Sequence, residues 1–404
     1  MALDEVSQAQ QGAHYRLPML PRHRRRILRR AEFGTSAQDA DIVTVRCRAR
    51  RDVPLDPFAL HVDGGKLGPE YHALAARNSI SLPDAFVTLA RNVRVCGYGL
   101  MVTSDDYLLH ESNIRRHHAI MEGRDVCRIE QASPPKATRR VAEPTIILTR
   151  VWPLHFSHWM YDNLGALTFV RELGLLTPSV RIAVGHGNRR GGWFKAGSVQ
   201  ADSLALLGIR PEQVLPLGEH TWTHFDNAII PWPVNEFRQP IDRIFNQPEI
   251  FDLFRAMREQ VAPGDRPAER KVFFSRLDTP LRRLKNEAEI IELVKPLGFE
   301  ALTTGGMSLA EQIRLYADVS IAIGPIGNSL MGLCFMRPGS TVVVLTPEPL
   351  AYCLAYYQSF CSALGLRLLA VVSTDFDQGR WNETPWQLAP DLVARVLGEQ
   401  GWCR

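Results

Sequence analysis

Lysine is scarce in this chain. Lys66, Lys136, Lys195, Lys271, Lys285 and Lys295 are the only six among 47 basic residues. Nearly all the positive charge is therefore Arg, whose planar guanidinium donates in a fork to phosphate oxygens. The formal net charge of +4 is too small for a chain that binds nucleic acid through bulk charge. The seven cysteines, Cys47, Cys96, Cys127, Cys334, Cys353, Cys361 and Cys403, are an odd number, widely spaced and without a C-x-x-C pair. That pattern excludes a zinc cluster or a disulfide framework and points to a reducing compartment, with a cytoplasmic location expected. The N-terminus has no apolar run of the secretory kind, and no transmembrane segment is expected. Three motifs are also missing: the G-x-x-x-x-G-K-[ST] phosphate loop, the G-x-S-x-G elbow, and a G-x-G-x-x-G opening a βαβ unit. Kinase-like, hydrolase and nicotinamide chemistries lose their usual signatures.

With 404 residues, 45% hydrophobic and 22% charged, the chain has the composition of a globular protein long enough for two cores. Residues 1–40 read as a basic arm around Pro21-Arg-His-Arg-Arg-Arg-Ile-Leu-Arg-Arg30. The Arg22–Arg30 run suits either a solvated arm or a peripheral contact with anionic lipid. From 41 to 262 the chain begins with short β-like pieces, including a hairpin over 95–103, and then alternates strand and helix. Ala262-Pro-Gly-Asp-Arg-Pro267 reads as a linker. From 263 to 404 the alternation is cleaner. Strands are expected at 271–275, 300–303, 319–323, 341–345 and 367–372, with helices between them. Ser308 and Glu311 have capping-box spacing. This rhythm predicts an α/β fold with two doubly wound, Rossmann-like domains facing a cleft, plus a β-rich N-terminal extension.

Three stretches carry candidate chemistry. Val319 to Met336 has no charged residue and runs from a buried strand through Gly324-Pro325-Ile326-Gly327 to a helix opened by Asn328 or Ser329. A strand turning on glycines into a helix start presents backbone N–H groups to an anion, although a core strand with an ordinary turn reads the same way. Ser275 to Glu287 also follows a strand. It delivers Arg276, Arg282 and Arg283 to the sheet edge, with Asn286 and Glu287 in the next helix's first turn. Three guanidiniums there suit a diphosphate, or else form a solvated basic loop. In the first half, His158 and Asp162 stand four apart at a helix start. Either could take a proton from an acceptor hydroxyl, or could simply cap and pack the helix. Trp159 and Tyr161 beside them are core or a sugar platform. Asp375-Phe-Asp377 and Asp39-Ala-Asp41 have the D-x-D form of metal-dependent sugar transferases and are discounted as chance matches. The Asn382-Glu-Thr384 sequon matters only in a secretory pathway.

Taken in order, His158-Trp159-x-x-Asp162-x-Leu164, Ser275-Arg276 with Arg282, Arg283, Asn286 and Glu287, Ser308-x-x-Glu311-Gln312, Gly324-Pro325-x-Gly327 and Pro338-Gly339 resemble glycosyltransferase family 61. This family includes bacterial capsular-polysaccharide proteins. The resemblance implies a GT-B architecture and an inverting, metal-independent enzyme in polysaccharide biosynthesis. The implied enzyme needs no cofactor, takes a UDP-sugar donor and has a glycan or lipid-linked saccharide as acceptor. It further implies that Arg276, Arg282 or Arg283 and the 324–329 turn hold the diphosphate, with Asp162 or His158 as the base. Family members usually carry His between the Pro and Gly of the turn, and Ala after the Gly. Here the residues are Ile326 and Asn328. Such a His would be a donor worth roughly 1–3 kcal/mol. Its loss leaves open a non-catalytic relative that binds a glycan or a partner enzyme. Another α/β nucleotide-dependent enzyme, such as an epimerase, is the third possibility.

Overall fold

The computed structural model describes residues 41–97, 99, 101–104, 109, 137–149, 155–185, 197–218, 221–236, 241, 244–264, 266–279, 281–377 and 385–402, together with the backbone of the strands His14–Pro18, Arg26–Arg29 and Val126–Glu130. The side chains of the Arg22–Arg30 run, Asp39 and the Asn382 sequon lie outside the described residues. The chain groups into two compact units. One comprises 1–49, 84–195 and 207–233, and the other 50–83, 196–206 and 234–404.

The first unit is built on a mixed sheet, nine-stranded among the described residues. Its main order is Val214–Leu217, Arg181–Gly185, Thr145–Leu148, Trp222–Pro231, Ala85–Cys96, Ile42–Arg48, Arg26–Arg29. The first four of these are parallel neighbours. Thr145–Leu148 is buried along its whole length, as a strand covered on both faces must be. Ala85–Cys96 then runs antiparallel to both Trp222–Pro231 and Ile42–Arg48. The β-rich segment expected as an extension is thus continuous with the parallel strands, because one twelve-residue strand pairs on both its edges. The expected hairpin is present, with Val95 opposite Met101. Val93, Val95, Ile147, Ala183, Leu215, Phe225 and Ile230 share one core. The helix Leu167–Glu172 packs on the two long strands. Arg48 ties it to the sheet, gripping Glu172 at 3.0 and 2.7 Å while its guanidinium lies 5.3 Å from the Phe169 ring centre.

The second unit carries a six-stranded sheet that is parallel throughout. Its order is Phe299–Leu302, Arg270–Phe274, Val319–Pro325, Thr341–Pro347, Arg367–Ser373, Ala59–Asp63. Every residue of Thr341–Pro347 is buried. Phe273, Ile290, Ile323, Val343, Val371, Trp386 and Val393 belong to a single core, which brings the helices Glu287–Val294 and Pro390–Glu399 onto this sheet. The Ser308 cap of Leu309–Ala317 forms as its spacing predicts. Glu311 N donates to Ser308 Oγ at 3.3 Å, and Ser308 N donates to Glu311 Oε2 at 2.8 Å.

The order of these strands locates the binding edge. From Arg270–Phe274 the chain steps to one side, to Phe299–Leu302, and then returns to the other side at Val319–Pro325. The helices leaving the two central strands therefore diverge. Ligands in open parallel sheets bind at such a switch point, beyond the carboxyl ends of the strands. Ser275-Arg276 and Ile326-Gly327 are the residues that follow those two ends.

Candidate active site

Arg276 and the glycine turn meet at the switch point. Ser275 N donates to Leu302 O at 2.8 Å, which keeps the chain in line with the sheet for one residue beyond the strand. The Arg276 side chain then lies across the neighbouring turn. A Cβ placed on Gly327 would come within 1.7 Å of Arg276 Nη1, and one on Gly324 within 2.6 Å of Phe274 O. Both glycines are needed for space. At Gly327 the backbone is extended, with φ of 163°, so conformational freedom is not the reason. The expected helix after the turn is the 3₁₀ helix Asn328–Phe335. Its start is held by Tyr316, whose ring stacks on Phe274 at 4.7 Å and whose hydroxyl donates to the Ser329 carbonyl.

Glu287 frames this site. Its side chain is 1% exposed, and Oε1 accepts from Ser275 Oγ and from Arg276 N, each at 2.7 Å. Arg276 is itself 6% exposed, and Nη2 donates to Leu281 O at 3.0 Å. Its pKa is pushed down to about 10, first by burial and then by the like charge of Arg282. Arg282 sits in left-handed backbone with φ of 54°. That conformation is fixed in part by Trp386 Nε1, which donates to its carbonyl at 3.2 Å. Four buried polar atoms in this group have no hydrogen-bond partner: Arg276 Nε, Arg282 Nε, Glu287 Oε2 and Ser329 Oγ. Two adjacent guanidiniums with unused donors, beside a helix start, form an electropositive seat for an anion.

Not every candidate joins this seat. Arg283 is exposed, and its carbonyl accepts from Trp386 N at 3.0 Å. Asn286 is turned toward residue 388, where Nδ2 donates to Leu388 O at 2.8 Å and Oδ1 accepts from Leu388 N at 3.3 Å. Both residues anchor the segment around Trp386. Asn328 is exposed at the head of the 3₁₀ helix. Ile326 is 5% exposed, with its N–H bonded to Leu345 O at 2.8 Å, so the turn closes there on an apolar side chain.

In the first unit, the helical segment that opens at His158 is a π-helix, His158–Leu164, with Gly165 N donating to Met160 O at 2.8 Å. Single π turns inside helices recur at functional sites. His158 Nδ1 and Asp162 Oδ2 are 2.6 Å apart, and Asp162 is buried. Because a carboxylate accepts, the shared proton belongs on Nδ1, and Nε2 is the ring's basic nitrogen. Asn163 Nδ2 donates to the His158 carbonyl at 2.9 Å and fixes the backbone there. The pair follows Thr145–Leu148, the strand that borders this sheet's own switch point against Trp222–Pro231. Trp159 and Tyr161 are wholly buried, which makes them core and removes the sugar-platform reading.

The family model described as Glycosyltransferase 61 matches residues 156–344. Over that stretch the chain is glycosyltransferase family 61 sequence. The match takes in His158, Asp162, Arg276, Arg282 and the 324–329 turn, so both candidate groups lie within the matched stretch. No curated protein matches the chain.

Elsewhere the described residues offer little competition for the site. A cavity of about 380 Å³ at the amino ends of the second sheet's strands is lined by Arg258, Arg266 and Arg337. These arginines are already engaged: Arg258 with Met336 O and Glu259, Arg337 with Ala317 O and Ala262 O, and Arg266 with Asp318. Asp377 is paired with Lys285 at 2.5 Å, and Asp375 N donates to Ser373 Oγ at 3.0 Å, which gives that D-x-D a structural role. Among the described residues, no His, Cys, Asp or Glu side chains gather in threes as a metal site requires, and no helix is long and apolar enough to cross a membrane.

Proposed function

We propose that this transferase moves a sugar from a UDP-sugar to a hydroxyl of a glycan or lipid-linked saccharide, with inversion at the anomeric carbon. The observation that carries the reading is the seat at the second sheet's switch point, where Arg276 and Arg282 repel one another and keep unused donors. A diphosphate supplies negative charge beyond that of Glu287 and Asp278, the carboxylates already in reach of Arg276. Arg276, Arg282 and the start of the 3₁₀ helix then stabilise the charge that develops on the departing UDP. His158, oriented by Asp162, takes the acceptor proton on Nε2. The freed oxygen forms its bond to the anomeric carbon as the bond from that carbon to the diphosphate oxygen breaks, and the negative charge leaves with UDP. The reading includes a GT-B architecture, independence of metal ions and cofactors, a cytoplasmic location and a place in polysaccharide biosynthesis. A peripheral membrane contact through Arg22–Arg30 belongs to it as well.

Ile326 favours a second reading. A buried apolar residue stands where the resemblance leads one to expect His, as it would in a relative that binds a glycan without turning over a donor. Hydrolysis of UDP- and GDP-sugars by the purified protein separates the two. Turnover of a UDP-sugar with release of UDP is the expected result. Binding of UDP with no turnover of any donor, with or without saccharide acceptors, would favour the second reading.

A further inference from the structure

Among the described residues two large hydrophobic side chains stand exposed, Leu277 at 52% and Leu281 at 45%. A single exposed leucine needs no explanation. These two share one loop, and that loop carries both arginines of the switch-point seat. In chain order it reads Arg276-Leu277-Asp278-Thr279-Pro280-Leu281-Arg282, with a leucine beside each arginine.

Hydrogen bonds pin both leucines to the rim of the seat. Leu277 N donates to Ser275 Oγ at 3.2 Å, the same hydroxyl that donates to Glu287 Oε1. Leu281 O accepts from Arg276 Nη2 at 3.0 Å. Between them the chain folds back, Thr279 N donating to Arg276 O at 3.1 Å. Asp278 is the loop's one carboxylate, and a Cβ placed on Gly305 would stand 2.9 Å from its Oδ2, so it lies against the loop that follows Phe299–Leu302. Just past Leu281, the left-handed backbone of Arg282 is held through its carbonyl by Trp386 Nε1. The leucines are therefore held in place by the groups that build the seat, and their side chains are left in solvent.

A charged seat with an apolar rim has two halves to match. Inorganic phosphates are polar throughout and use only the first. A lipid surface is held in proportion to the apolar area it buries, and two leucines offer little. They do suffice for one face of a single ring. A nucleoside diphosphate joins such a ring to its phosphates in one molecule. We propose that Leu277 and Leu281 form the platform for the donor's nucleobase, which lies on them while its diphosphate occupies the seat of Arg276 and Arg282. The inference rests on the switch-point seat being the donor site.

The test compares UDP with pyrophosphate, which lacks the nucleoside, by calorimetry on the full chain. The proteins are the wild type, Leu277→Ala/Leu281→Ala and Arg276→Ala. Both leucines are exposed, so truncating them leaves the core intact. The leucine variant is expected to bind UDP roughly 10-fold more weakly, with pyrophosphate binding unchanged, whereas Arg276→Ala weakens both ligands. Leu277→Met/Leu281→Met should restore most of the UDP affinity, because methionine supplies a similar apolar surface. Affinity left at the alanine level would contradict an apolar platform. UDP binding unchanged in the leucine variant but weakened in Arg276→Ala would overturn the inference and leave the seat standing. Equal weakening of UDP and pyrophosphate by the leucine change would also overturn it, since the loop would then only shape the seat. Both ligands unaffected by Arg276→Ala would remove the seat, and the inference with it. Unchanged UDP affinity, with binding to phosphatidylcholine–phosphatidylglycerol vesicles or self-association lost in the leucine variant, would give the pair to a lipid surface or a second copy instead.

Discussion

Gly327 and Arg276 specify one another. A methyl group at position 327 would stand 1.7 Å from Arg276 Nη1, so the guanidinium can cross the turn only while residue 327 has no side chain. Gly327→Ala is therefore expected to act as an arginine mutation at a distance, displacing Arg276 without removing it. UDP affinity should fall roughly 10- to 100-fold, the range for losing one charge-assisted contact. Calorimetry on a variant shown by circular dichroism to be folded checks this.

Arg276 also carries a stability prediction. Its pKa is pushed down from the ordinary arginine value to about 10, so the folded chain binds this proton less readily than the unfolded chain does. The charged form therefore weighs against folding below about pH 10, and that cost lifts as pH rises toward the unfolded value. Arg276→Met, which removes the charge and keeps most of the volume, should unfold in urea at pH 7 with a stability no lower than wild type, within about 1 kcal/mol. Its UDP binding should weaken roughly 10- to 100-fold. A loss of several kcal/mol would mean that Arg276 is structural.

Added anion should act in the opposite direction on the wild type. Pyrophosphate at about 100 times its dissociation constant should stabilise the folded state by about 2.7 kcal/mol, and should do far less for Arg276→Met. Thermal melting against pyrophosphate concentration, at constant ionic strength, reads this out.

Glu287 should matter for both stability and binding. Its Oε1 is the acceptor for Ser275 Oγ and for Arg276 N. Glu287→Ala leaves two buried donors unsatisfied, at about 1–3 kcal/mol each, and frees the backbone that aims Arg276. Urea denaturation should show a loss of about 2–6 kcal/mol, with weaker UDP binding in whatever remains folded.

On the other unit, Asp162→Asn replaces the carboxylate beside His158 Nδ1 by a neutral amide whose Nδ2 can donate to that nitrogen, so the proton is no longer held there. Turnover should fall roughly 100- to 10,000-fold, the usual contribution of a positioned base, with the KM for the donor little changed. A change in donor KM alone would assign the pair to binding.

Much of this was readable from local pattern. The Ser308–Glu311 cap, the buried strand before Gly324 and the Arg-bearing loop after Arg270–Phe274 all depend on neighbours a few residues away. What was not readable depends on distant partners. Ala59–Asp63 is a half-exposed edge strand whose pairing with Arg367–Ser373 lies some three hundred residues downstream, and nothing in Ala-Leu-His-Val-Asp announces it. Asn286 looks like a ligand donor until Leu388, about a hundred residues on, occupies its amide. The His158–Asp162 pair was legible as a spacing, but the π turn that carries it was not.

The most direct test is calorimetric titration of UDP into the wild type and Arg276→Ala. Binding to the wild type is expected to weaken roughly 10- to 100-fold when the guanidinium is removed. Equal affinity in the two proteins would contradict it and place the nucleotide elsewhere.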